Sequence, residues 1–232
     1  MTFARTTLSD HVVREIISEI KQRQLRAGDE IPAEGELAER HGVNRLVVRE
    51  AIRTLVARGV LASSQGKRAT VATPSPAVLA QILEFRLSQK SMDLRDLLDT
   101  RRVLEGELAQ RAAACVAAGE GTVAEAAEAL ETMRGAVGDR DAFIAGDLAF
   151  HQAVANLARS EVFSFLLAAM NGVLLDARRA SYQGREQRGT GQDATIEGHQ
   201  RILDAIASGD GAAAAEAMTG HLAETSHDLG LP

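Results

Sequence analysis

Apolar residues recur at helical intervals along most of this chain, and the breaks between them set out its organisation. Over residues 7–24, Val12, Val13, Ile16, Ile17 and Ile20 fall one turn apart behind a Thr/Ser/Asp start, which predicts an amphipathic helix. Gly28 and Pro32 interrupt it, and a short helix over 34–41 carries Leu37 and Ala38. Gly42 supplies a turn, and a second, longer helix runs from Arg45 to Arg58 before Gly59. The segment VLASSQGKRATVAT then changes to a β-type pattern folded at Gln65–Gly66–Lys67, two short strands around a glycine turn. TPSPA (73–77) holds two of the four prolines and reads as a linker. Beyond it the helical period returns over 77–90, 93–118, 122–135, 139–158, 161–182, 192–208 and 210–228.

The expected fold is therefore mainly α. A winged helix-turn-helix (1–73) and a short linker (74–78) precede an antiparallel all-helical bundle of six or seven helices (79–232). Composition narrows the class. With no Trp and one Tyr, the chain lacks the aromatic platforms that single-stranded nucleic-acid binders stack on. One cysteine excludes an internal disulfide and a cysteine-based zinc cluster. No apolar run reaches the ~18 residues of a membrane span, and the N-terminus lacks the apolar core of a signal peptide, so no membrane partner and a cytoplasmic location are expected. The net charge of −6 is unevenly divided: residues 1–75 carry 12 Lys+Arg against 9 Asp+Glu, and the remainder 14 against 23. A basic first module and an acidic second one suggest different partners.

In the third helix of the first module, Arg45, Arg49 and Arg53 lie four apart, each displaced ~40° around the axis. They form one guanidinium stripe opposite Val47, Val48, Ala51, Ile52 and Leu55. Arginines near the start of a recognition helix suit guanine edges or phosphates of double-stranded DNA. Lys67 and Arg68 at the wing tip can reach a neighbouring backbone or minor groove. The segment IPAEGELAERHGVNRLVVREAIRTLVARGVL resembles the DNA-binding domain of the GntR transcription regulators. That resemblance places Arg45 and Arg49 at the family's DNA-contact positions and Gly66 at the wing turn. Gly35 stands where the family usually has Arg, which removes one contact. Asn44 replaces Ser or Thr before Arg45.

The second module carries its chemistry inside. On the helix over 139–158, Asp147 and His151 are four apart within the stripe of Phe143, Phe150 and Val154. An Asp/His pair at this spacing can direct two ligand atoms at one metal ion. His199 lies among Ile196, Ile202, Leu203 and Ile206, and His221 on the face of Ala214, Ala217 and Met218. One Asp and three His thus come from the inner faces of three helices, where bundles build metal sites.

The segments LLDTRRVLEGELAQRAA, DLAFHQAV, EGHQRILDAIASGD and AAEAMTGHL are similar to the FCD ligand-binding domain of the FadR branch of GntR regulators. The resemblance implies a divalent ion on Asp147, His151, His199 and His221, with zinc expected and nickel, manganese or iron open. It further implies a small organic acid as effector, with Arg101 as a carboxylate partner unless it forms an i,i+4 pair with Glu105. Asn171 and Arg178 are further pocket candidates. The function so implied is a homodimeric regulator on a pseudo-palindromic operator, a repressor released by its effector. Two alternatives keep the same residues: a regulator with a purely structural ion, and a metallohydrolase carrying a DNA-binding appendage.

Overall fold

The computed structural model describes residues 7–64 and 67–229, which form eleven helices and one two-stranded sheet. The chain divides into two compact units, Met1–Val78 and Leu79–Pro232. In the first, α1 (Leu8–Gln22) opens with a capping box: Thr7 Oγ1 accepts from the Asp10 N–H and the Asp10 carboxylate accepts from the Thr7 N–H. Val12, Val13 and Ile16 of α1 share a core with Val48, Ala51, Ile52 and Leu55 of α3 (Arg45–Ala57). Between them, α2 (Glu34–His41) contributes Leu37 and Ala38. It ends at Gly42 with φ +62°, a left-handed conformation that a Cβ disfavours, and the chain can turn there into α3. Strands β1 (Leu61–Ala62) and β2 (Thr70–Val71) pair antiparallel, with Leu61 opposite Val71 and both side chains closing the core. Helix, helix, helix and wing follow in the order that the sequence pattern predicts.

Helix α4 (Pro76–Ser88) begins inside the expected linker, so the last three residues of 74–78 are helical. Proline suits that first position because its missing N–H would have no helical partner there. The axis of the second unit is α5 (Leu94–Ala117), whose Leu97, Leu104, Leu108 and Ala112 recur along one buried face. Lengthwise against it lies α11 (Gly211–Asp228), while α6 (Ala124–Gly135) packs on α7 (Arg140–Leu157) and α10 (Asp193–Ala207) on α11. Asp93, Asp139 and Asp210 cap α5, α7 and α11 by accepting from N–H groups of the first turn.

The single helix expected over 161–182 is two, α8 (Glu161–Val173) and α9 (Leu175–Gln187). They meet at Leu174, which is fully buried and whose ψ of 6° ends one helix and starts the next. No proline or side-chain cap marks this break; Asn171 and Gly172 weaken the end of α8, and Leu174 is buried in the core at the junction. The second unit consequently has one helix more than the sequence pattern counts. Among the described residues, no helix is long and apolar enough to cross a membrane.

Candidate functional site

Four potential metal ligands converge inside the second unit. Asp147 and His151 come from α7, His199 from α10 and His221 from α11, and one ligand atom from each lies within 4.8 Å of the others. Atoms bound to one ion at ~2.1 Å stand ~3.3–4.2 Å apart, so a small contraction would close this set on a cation. The three imidazoles are almost wholly buried, and Asp147 keeps 14 % of its side-chain surface. His151 Nε2 lies 3.6 Å and His199 Nε2 3.2 Å from the same oxygen, Asp147 Oδ1. Neither nitrogen makes a hydrogen bond, although both are fully buried. A buried ring nitrogen without a partner loses its hydration for no return. A cation in their midst would satisfy both at once.

The opposite ring nitrogens are held. His199 Nδ1 lies 2.8 Å from the Thr195 carbonyl oxygen, and His151 Nδ1 lies 2.5 Å from Glu105 Oε2. Nδ1–H donation to an oxygen leaves Nε2 bare, the form in which an imidazole binds metal. Glu105 in turn accepts from Arg101 Nε on the same face of α5. Burial pushes the Glu105 carboxyl up, but Arg101 and then His151 outweigh it and hold the group at about 2. Burial likewise raises Asp147, which His151, His199 and Arg178 bring well below the usual carboxylate range. Burial, with His199 and His151 beside it, drives His221 well below the ordinary imidazole value and keeps it neutral.

A cavity of about 40 Å³ opens beside this cluster, with Asp147, His221, Arg101 and Arg178 in its wall. Phe143, Ile144, Tyr182 and Thr225 also line it. Its size suits a ligand of a few heavy atoms. Arg178 donates from Nε to Asp147 Oδ2 at 2.8 Å and from Nη2 to Asn171 Oδ1 at 2.9 Å. Its Nη1 and the Nη2 of Arg101 are buried without a partner. Asn171 is not part of the cavity wall and reaches the site only by holding Arg178. Arg101 forms the i,i+4 pair with Glu105 that stood as the alternative to effector contact, within the core rather than at the surface, and its side chain also lines the cavity.

In the first unit, Arg45, Arg49 and Arg53 are exposed along α3, opposite its buried face. Asn44 caps the helix, its Oδ1 accepting from the Val47 N–H at 3.0 Å. Arg49 Nε donates to Glu34 Oε2 of α2 at 2.7 Å, and the Arg45 guanidinium lies over Gly35, 3.2 Å from where a Cβ would stand. Lys67 is exposed, and Arg68 is 3.6 Å from Glu30. Gly66 lies outside the described residues.

Residues 8–71 match the family described as bacterial regulatory proteins, gntR family, and residues 96–224 match the FCD domain. The HTH-type transcriptional regulator LutR of Bacillus subtilis is 31 % identical over 204 residues, covering 88 % of this chain and 92 % of LutR. The chain belongs to the GntR family of transcription regulators, with an FCD domain. Other relatives of this GntR regulator include the putative L-lactate dehydrogenase operon regulatory protein of Escherichia coli, 31 % identical over 225 residues (93 % and 83 % of the two chains). The repressor NanR of Salmonella newport is 30 % identical over 237 residues, covering 98 % and 88 %. A GntR protein of Streptococcus agalactiae shares the fold with a TM-score of 0.58 at 23 % identity, over 94 % of this chain and 99 % of that one. As a member of this family the chain is a DNA-binding regulator, and its FCD domain is the part that takes small-molecule effectors.

Two residues of the GntR regulator's site lie outside the predicted ligand and pocket residues. Glu105 shares the buried stripe of α5 with Leu104 and Leu108, and its spacing says only that it can reach Arg101. Gly198 precedes His199 on α10, and a Cβ there would stand 2.8 Å from His221 Nδ1. The missing side chain admits the His221 ring to the cluster. Both become visible only once α5, α7, α10 and α11 are packed together.

Proposed function

We propose that this GntR regulator is a homodimeric repressor whose FCD domain binds a divalent ion, zinc, on Asp147, His151, His199 and His221, and a small carboxylic acid beside it. The observation that carries the reading is the pair of buried, partnerless imidazole nitrogens facing one carboxylate oxygen, next to a cavity with two partnerless guanidinium nitrogens. When bound, the ion supplies a Lewis-acidic anchor for a carboxylate oxygen. Arg101 Nη2 and Arg178 Nη1 offer the charge-assisted donors that fix the acid's orientation. Asp147 links the two, since one oxygen faces the imidazoles and the other accepts from Arg178.

In the first domain (1–73, joined by 74–78 to 79–232), Arg45, Arg49 and Arg53 enter the major groove of a pseudo-palindromic operator, one half-site per protomer. Asn44 sets the start of that helix, and Lys67 and Arg68 of the wing follow the DNA backbone. The acid shifts operator affinity only by its preference for one arrangement of the dimer, typically ~1–3 kcal/mol. Relatives named for an L-lactate dehydrogenase operon make short 2-hydroxy acids the first compounds to test. Operator binding should be followed by fluorescence anisotropy with zinc-loaded and chelator-treated protein across a panel of C2–C6 acids. Release by at least one acid, only in the loaded protein, is the expected outcome. Release that does not depend on the ion would leave the metal a purely structural part.

A further inference from the structure

The proposed metal centre contains a fifth polar residue whose role is neither ligand nor effector contact. Glu105 is 1 % exposed and touches two partners at once: Oε1 accepts from Arg101 Nε, and Oε2 meets His151 Nδ1 at 2.5 Å. An ionised carboxylate can only accept, so of the two neutral forms of His151 it selects the one that carries its proton on Nδ1. The same choice leaves Nε2 bare, and Nε2 is the nitrogen that faces Asp147 Oδ1 without a hydrogen-bond partner. For His199 the corresponding job is done by a backbone carbonyl, which no side-chain substitution removes. Resting on the metal reading above, we infer that Glu105 is the positioning residue of the centre, fixing the proton and the ring orientation of His151 so that its Nε2 is presented to the ion.

The geometry also says what an isosteric change would do. In Glu105→Gln, Arg101 Nε–H still requires an acceptor and takes the amide oxygen, because both side chains lie in the core. The amide NH2 then faces His151 Nδ1, which must accept, and the ring proton is forced onto Nε2. Volume and packing are kept while the ligand nitrogen is blocked. In the double variant Glu105→Gln/Arg101→Met the amide oxygen is released. The amide can turn, accept from Nδ1–H, and return Nε2 to the ion.

The test uses the full-length protein. Zinc affinity is measured by competition with a chromophoric chelator, and the His151 ring is read by long-range 1H–15N correlation in the zinc-loaded state. Loss of a partner of this kind weakens metal binding by about 10–100-fold, which is the expected result for Glu105→Gln. The double variant should bind zinc more tightly than Glu105→Gln alone, a rescue that damage to packing would not produce. Wild-type His151 should be protonated on Nδ1 and bound through Nε2. Unchanged zinc affinity in Glu105→Gln, a double variant no better than the single one, or wild-type binding through Nδ1 would each overturn the role of Glu105 while leaving the metal centre standing. Wild-type protein that takes up no zinc would overturn both.

Discussion

Arg49 and Arg101 are both arginines paired with a glutamate, yet their side chains are 58 % and 3 % exposed. Arg49 lies on α3 beside Glu34 of α2, with water competing for both groups. Such a pair contributes ~0–1 kcal/mol, and it can be exchanged for a phosphate or a base at little cost. Arg101 lies within the core of the FCD domain beside Glu105, which touches His151, which faces Asp147, which accepts from Arg178. There no water competes, and removing one member strands the next. The exposed stripe of α3 is therefore an independent set of exchangeable charges, and the buried cluster around Asp147 is a chain of mutually dependent ones.

Loss of the buried arginine should have the largest effect. Arg101→Ala should lower the stability of the ion-free protein by about 3 kcal/mol, since Glu105 then keeps a buried charge with only His151 as its partner. Arg49→Ala should change it by less than ~1 kcal/mol. Chemical denaturation of both variants measures the difference, and equal losses would contradict the distinction between the two sites. Acid sharpens the same point. Glu105 is held at about 2 against an ordinary 4.5, so its contribution is complete above 4.5 and is lost as pH falls toward 2. The ion-free wild type should lose stability across that window more steeply than Glu105→Gln.

His199→Ala removes one of the two partnerless nitrogens and should empty the protein of metal and abolish its response to the acid. Operator affinity without effector should stay at the wild-type value, as read by metal analysis and anisotropy. Arg49→Ala should do the reverse, weakening operator binding by ~1–3 kcal/mol with metal content unchanged. Gly198→Ala should act on the same centre more mildly, because the His221 ring must shift rather than vanish; a roughly 10-fold weaker zinc affinity is expected. The smallest effect is that of Asn44→Ala, which loses the cap of α3 and about 1 kcal/mol of stability in thermal unfolding.

Much of this was legible in the chain itself. A period of 3.6 residues places Asp147 and His151 on one inner face, and the same period places His199 and His221 on two others. The turn at Gly42 and the arginines at 45, 49 and 53 mark α3 and its exposed stripe with equal clarity. Periodicity assigns angles around one helix axis but not the height at which two helices meet. That height decides whether three inner faces share one point, and packing along α5 and α11 sets it here. The division of 161–182 at Leu174 is only half of this class, since Asn171 and Gly172 weaken the helix locally just before it, yet both remain within α8.

Within α7, helical spacing depends only on the local chain, so the residue order alone puts Asp147 and His151 one turn apart in an apolar stripe. Which nitrogen of His151 faces the other ligands is settled by packing. That choice is made by Glu105, 46 residues earlier, through a hydrogen bond that exists only when α5 and α7 are packed together.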